Sequence, residues 1–256
     1  GLGFAGTNPH YQTSDEPIGP SGDWYTDRVQ AGGIGKWALL GLTNTDFDNR
    51  LAVLDATSGE IAHIFDPQRE TYYHAISADG KRVVAAFYVD DSEQADATLF
   101  NAETGEAIAQ TKISGVDLEE MSISADGQRV VFSVSASEPA ALPLWDTSTN
   151  KVRKSATVTE SSVVRISPAG TLIPAALPTD RVYPKLVLLD AKSGEVSKTL
   201  SIEKAPGELV FSGDGKLLMA GWVLKGGGAI FDVASGGIVA TLETDDKLFE
   251  SRFTTN

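Results

Sequence analysis

Three histidines, His10, His63 and His74, are all that this chain offers of the side chain most often used as general base or metal ligand. His74 lies in TYYHAIS beside Tyr72, where an innermost strand would turn it toward a central channel, and it reads as a structural histidine. His63 falls on an outer strand as a surface residue, and His10 in an N-terminal tail. Carboxylates are more plentiful. NTDFDN sets Asn44, Asp46 and Asp48 at alternate positions, with Asp55 eleven residues beyond the first, which partly mimics a calcium loop. The glycine at the sixth position and the closing glutamate of such a loop are both missing. Asp90, Asp91, Glu93 and Asp96, and the pair Asp245 and Asp246, read as solvated loops. Gly226, Gly227 and Gly228 lie between two strands, without the following helix that phosphate binding needs, and read as a flexible hairpin.

The nucleophile elbow, the Walker loop, the His-Glu-x-x-His zinc motif and the dinucleotide glycine fingerprint are all missing from the sequence. Cysteine is absent, which removes disulfides, thiol catalysis and cysteine-ligated zinc. No catalytic, cofactor-binding or metal-binding residue is therefore assigned, and no cofactor is expected. The charge is lopsided, with 35 Asp and Glu against 21 Lys and Arg and a formal net of −14. Such a surface repels phosphate backbones and anionic lipid heads, so nucleic acid is not expected as a partner. No apolar run approaches the 18 residues of a membrane-spanning helix, so membrane insertion is not expected either. A cysteine-free chain suits cytoplasm, periplasm and cell exterior alike.

The elements that must carry these side chains announce themselves by repetition. LDATSGE, FNAETGE, WDTSTNK, LDAKSGE and FDVASGG place Asp55, Asn101, Asp146, Asp190 and Asp232 at spacings of 46, 45, 44 and 42 residues. A second phrase, starting at Ser77, Ser124, Ser167 and Ser212, runs out of phase with the first at spacings of 47, 43 and 45. Two interleaved turn signals with one shared period mean a repeat array. Each period parses as four strands joined by short turns: TYYHAIS, an Asp-Gly turn, KRVVAAFYV, a polar stretch ending at Asp96, ATLFN, a Thr-Gly turn and AIAQTKI. The segment after the Asp-Gly turn is apolar on both faces (VVAAF, VVFSV, LIPAAL, LLMAGW), as a middle strand packed between neighbouring sheets must be. The fold class predicted is an all-β propeller of four-stranded antiparallel blades, with five full periods plus one partial blade. Residues 23–256 form the propeller domain, and 248–254, LFESRFT, match the opening strand of a sixth period. Residues 1–22 form an irregular N-terminal segment that could complete the closing blade; another chain could complete it instead, since an open sheet edge invites pairing.

The Ser-x-Asp-Gly turn after the first strand, and the apolar-Asp pair closing the third, as in Trp145-Asp146, resemble the WD-repeat propellers and their bacterial relatives. The resemblance covers about residues 23–256 and implies a divergent, WD-like bacterial propeller. The family's Gly-His pair is missing from every period, so its interblade Trp-His-Asp-Ser network is not carried over. The NAETGE turn is also similar to quinoprotein blades, but the docking Trp that follows it there is absent here, which argues against a quinone.

In propellers of this kind ligands meet the loops between blades and between second and third strands. Here those are the variable, charged segments, among them DPQRET, VDDSEQAD and PTDRVYP. The expected partner contacts are Arg69, Asp90, Asp91, Arg181 and Tyr183, with Pro178 and Pro184 bracketing the last two; Arg and Tyr bring large contact area at modest ordering cost. The function expected is a non-catalytic scaffold that presents an acidic loop face to a protein or peptide partner within a larger assembly. The alternative is a propeller hydrolase or lyase with its site at the channel mouth.

Overall fold

The computed structural model describes residues 25–31, 36–44, 49–65, 73–88, 94–114, 117–135, 139–159, 165–179, 185–202, 204, 206–222 and 226–243. Every regular element among them is a strand. The first sheet holds β1 (Tyr25–Ala31), β2 (Trp37–Thr43), β3 (Asn49–Asp55) and β4 (Ile61–Phe65). The second holds β5 (Tyr73–Ile76), β6 (Arg82–Tyr88), β7 (Gln94–Asn101) and β8 (Ala107–Ser114). The third holds β9 (Asp117–Ile123), β10 (Arg129–Ser135), β11 (Ala140–Asp146) and β12 (Lys151–Val158). In the fourth, β13 (Leu172–Leu177), β14 (Lys185–Asp190) and β15 (Val196–Thr199) pair; the innermost strand expected before Ser167 falls mostly on residues 160–164, outside the described ones. The fifth holds β16 (Pro206–Phe211), β17 (Leu217–Trp222), β18 (Gly228–Asp232) and β19 (Ile238–Leu242). All neighbours in each sheet are consecutive in sequence and antiparallel, so each period folds locally into one propeller blade. The partial sixth period and residues 1–22 lie outside the described residues.

One difference from the sequence reading concerns the second blade. Its third strand begins at Gln94 rather than Ala97, so Asp96 belongs to β7, between Phe87 and Lys112 in register, and not to a solvated loop.

The two recurring phrases are two halves of one clamp. In the Ser-x-Asp-Gly turn the Ser77 hydroxyl donates to Asp79 at 2.6 Å and accepts from the Arg82 amide at 3.0 Å, while Asp79 accepts from the Lys81 amide at 2.9 Å. Ser124 with Asp126 and Ser212 with Asp214 repeat the pattern. In the fourth blade alanine stands at the Asp position, and Ser167 alone holds the Thr171 and Leu172 amides. In the other phrase the anchor carboxylate or amide accepts backbone amides two or three residues on: Thr57 at Asp55, Glu103 at Asn101, Thr149 at Asp146, Ser193 at Asp190, Ser235 at Asp232. The residue after each anchor then donates its amide to the residue just before the blade's second strand. The five bonds run from Ala56 to Lys36, Ala102 to Lys81, Thr147 to Gln128, Ala191 to Thr171 and Val233 to Lys216, at 2.7 to 3.0 Å. One backbone bond per blade thus ties the two turns together.

Glycine is required in these turns by conformation and, at one seam, by space. Gly59 and Gly194 both sit at φ +78°, in the left-handed region. A Cβ on Gly59 would meet nothing within 4 Å, whereas one on Gly194 would stand 2.7 Å from the Ser155 Cα of the preceding blade. Asn150, at φ 53°, replaces the glycine in the third blade, and its Oδ1 accepts the Trp145 indole N–H at 3.0 Å. Trp145 is wholly buried.

Blades stack through apolar faces. In register, Leu39 and Val53 share the face of the first blade that packs on Val83, Ala85, Phe87 and Phe100 of the second. Val84 and Leu99 face the third blade, Val131 and Leu144 belong to the same cluster, which continues into Ile173 and Val187 of the fourth. Leu186 and Leu188 then meet Leu218, Ala220 and Phe231 of the fifth. The innermost strand β5 lies against β9 and touches β1, as radial stacking requires.

Gly59→Ala is expected to cost about 1–2 kcal/mol for the left-handed conformation, and Gly194→Ala clearly more, because its methyl group meets backbone. Unfolding midpoints of the two variants check this; equal losses would remove the close contact from the account. Burial by itself would raise the Asp146 carboxyl, but the Ser148 hydroxyl, the Thr149 amide and Arg129 outweigh it and hold the pKa at about 2, below the ordinary 3.8. Because the folded value lies below the unfolded one, the stability from Asp146 is present above about pH 4 and lost as pH falls toward 2. Asp146→Asn should flatten the acid limb of stability against pH in that window, and an unchanged limb would show that the clamp carboxylate contributes nothing there.

Candidate functional site

The five residues expected to touch a partner, Arg69, Asp90, Asp91, Arg181 and Tyr183, all lie outside the described residues, as do Asp46, Asp48, Asp245 and Asp246. What can be placed is the framework around them. The clamp turns occupy one edge of every blade, and their Ser, Asp and Asn side chains are committed to the turn itself. The connections from second to third strand emerge at the opposite edge, since each antiparallel hairpin reverses direction. Pro178 stands at that edge, just past the end of β13 and exposed.

Several chemistry-bearing residues turn out to be structural. The calcium-like reading of Asn44 with Asp55 fails on register. Thr43 pairs with Asn49 at one end of the β2–β3 hairpin and Trp37 pairs with Asp55 at the other, so Asn44 and Asp55 are separated by about 24 Å of strand at roughly 3.4 Å per residue. Asn44 is buried, and Asp55 anchors its own turn beside Lys36; its pKa is lowered first by the Thr57 amide. His74 is 7 % exposed and in register with Ala85, on the sheet face turned to the first blade, and so does not line an open channel.

His63 lies on the outer strand β4 and is half-exposed, as expected, and it is also a latch between blades. Its Nε2 hydrogen-bonds the Glu103 carbonyl in the second blade, and its ring packs 3.2 Å from where a Cβ on Gly105 would stand. Lys198 holds the equivalent place in the fourth blade and donates to the carbonyls of Val233 and Ala234 in the fifth. The signal was present in the sequence, since both residues stand four positions after the turn glycine of their repeat. Gly226 to Gly228 are likewise a hairpin, but a crowded one: a Cβ on Gly227 would fall 2.2 Å from the Leu242 carbonyl oxygen, and one on Gly228 2.5 Å from that of Ala220. Glycine there answers to close backbone approach rather than to flexibility. Among the described residues no three His, Asp or Glu side chains gather as metal ligands, and no helix is long and apolar enough to cross a membrane.

The feature that sequence reading missed is an unfinished seam. In the first four blades the face turned to the next blade is buried: Leu39 and Val53, Val84 and Leu99, Val131 and Leu144, and Leu188 are each at most 4 % exposed. The same row in the fifth blade, Met219 with Ile230, is only half-buried. The outermost position shows the contrast best. Phe65 is 2 % and Leu200 1 % exposed, while Leu242, at the same place in the repeat, is 49 % exposed. Ala240, where His63 and Lys198 latch their neighbours, is exposed too. Nothing among the described residues covers this face.

Comparison with known proteins gives the fold and stops there. No family model matches the chain, and no curated protein matches it. Among solved structures 1180 chains match, too broad a set to single out one activity. One of them is hydrazine synthase of Kuenenia stuttgartiensis, a β-propeller-containing protein, which is similar over 86 % of this chain at 19 % identity and a TM-score of 0.58. The chain spans 66 % of that protein's length, just under two thirds. At that identity the likeness shows the architecture alone: this chain has an all-β, propeller-like fold built from five antiparallel sheets.

Proposed function

We propose that this protein is a non-catalytic interaction scaffold, a divergent WD-like propeller that binds a protein partner. The observation that supports this most is the apolar face of the fifth blade, where Met219, Ile230 and Leu242 stand ready for a neighbouring sheet that the described residues do not supply. Burying a leucine side chain fully is worth about 1.5–3 kcal/mol, so a partner that completes the seam gains from contacts the other seams already use. A half-exposed apolar face of this kind suits an interaction surface.

The loop edge supplies the second half of the reading. Arg69, Asp90, Asp91, Arg181 and Tyr183 lie in segments whose length and charge vary from blade to blade, while the clamp edge stays constant. Variable connections on a constant framework are how repeat folds acquire specificity. The net charge of −14 favours a partner surface that is basic or neutral over nucleic acid.

Purified chain examined by size-exclusion chromatography with light scattering and mass spectrometry is expected to run as a complex larger than one chain. Leu242→Lys should weaken that complex at least tenfold without lowering the unfolding midpoint, because this side chain is 49 % exposed in the free scaffold. Arg181→Ala with Tyr183→Ala tests the loop edge separately, with a loss of about 2 kcal/mol expected for hot-spot residues. Single chains with nothing bound at micromolar concentration, in wild type and variants alike, would sink the reading.

A further inference from the structure

The seam between the third and fourth blades departs from its neighbours in two ways that converge on one pocket. The first is composition. Arg129, Lys151, Arg153 and Lys192 line a pocket of about 140 Å³ together with Leu144 and Asp146. The repeat itself is the control for what these positions require. Where Lys151 stands, the other blades have Glu60, Glu106, Glu195 and Gly237; where Arg153 stands, Ala62, Ile108, Ser197 and Val239; where Lys192 stands, Thr57, Glu103, Ser148 and Ala234. Turn geometry therefore has no need of cations here, yet three gather in one seam of a chain whose net charge is −14.

The second departure is register. In the other four blades the outer strand slips by one residue directly at the turn, between Val53 and Leu54, Leu99 and Phe100, Leu188 and Leu189, Ile230 and Phe231. In the third blade the slip moves along the strand, to between Ala141 and Pro143. Proline cannot donate to the ladder, and the Leu142 amide instead bonds the Ser155 hydroxyl at 2.9 Å. The consequence is that Arg153 comes into register with Leu144, whose side chain faces the next blade. In the other blades the corresponding residue is the extra one of the bulge.

Arg129 is held by Asp146 at 2.5 Å, whereas Lys151, Arg153 and Lys192 are exposed and make no ion pair among the described residues. We propose that this pocket is a binding site for a tetrahedral oxyanion of the phosphate type, free or carried as a monoester. A carboxylate presents one charge and two acceptor oxygens. A phosphate group presents nearly two charges and three or more acceptors, which matches several cationic donors including an arginine fork. The pocket is well below the roughly 300–1,000 Å³ of sites that enclose drug-sized ligands, so it takes the anionic group and leaves whatever carries it outside.

Isothermal titration of the full chain with inorganic phosphate, and separately with a phosphoserine peptide, tests the site. Saturable binding that weakens as ionic strength rises is expected. Lys151→Glu with Arg153→Ser and Lys192→Thr should reduce it at least tenfold, and these residues already occupy the same positions in other blades, so the variant is expected to keep its unfolding midpoint. Lys112→Glu, an exposed cation on β8 outside the pocket, should leave binding unchanged. Tighter binding of the peptide assigns the anion to a partner's phosphate group, and equal binding assigns a free anion. No saturation by either probe, equal binding by the triple variant, or an equal loss from Lys112→Glu would overturn the proposal.

Discussion

One backbone hydrogen bond, from the residue after each anchor to the residue before each second strand, sets the geometry on which the rest of this propeller depends. It joins the turn between first and second strands to the turn between third and fourth, so all four strands of a blade are held at the same edge. With the two turns locked together, the turn glycine of one blade is presented at a fixed height against the outer strand of the blade before it. Gly105 then meets His63, Gly194 meets Ser155, and Gly236 meets Lys198. Blade-to-blade packing inherits its spacing from that contact, and the leucine and valine rows between sheets fall into place behind it.

This constraint explains why so much of the fold was legible and why the interblade latches were not. A clamp needs particular residues at particular places: Ser to hold an amide five residues on, Asp or Asn to cap the second turn, Gly where φ is positive. The anchor recurs in all five periods and the Ser phrase in four, so the sequence repeats them and the blades can be counted. The latches His63 and Lys198 repeat only in position, not in residue type, because an imidazole N–H and an ammonium serve the same carbonyl. A search by residue type passes over them. Asn44 and Asp55, set aside as an incomplete calcium loop in the sequence, stand at opposite ends of one hairpin, because proximity in sequence there is not proximity in space.

The open face of the fifth blade was legible in principle. Leu242 occupies the repeat position of Phe65 and Leu200, and an apolar residue kept there signals that a neighbour is expected. Sequence shows the preparation for contact, but only exposure shows that the contact is not made among the described residues. The loop residues Arg69, Asp90, Asp91, Arg181 and Tyr183 are a different case. They lie in segments that differ from one period to the next, so the repeat offers no second copy against which to read them.

Departures from a repeat are informative in proportion to how strictly the rest of the repeat is kept. Ala169 in place of the turn aspartate changes little, because Ser167 still holds both amides. The slipped register of β12 is larger, and it is tied to a cause, Pro143, and to a result, Arg153 turned into the seam. The overall negative charge does not oppose an anion at that place as strongly as its size suggests. Charges act over a screening length of about 8–10 Å at physiological salt, so an arriving anion responds to the four cations around the pocket and to Asp146, already neutralised by Arg129, more than to carboxylates on distant blades. The basic seam lies at the clamp edge, and its three cations, unpaired among the described residues, stand at positions whose identity the clamp leaves free.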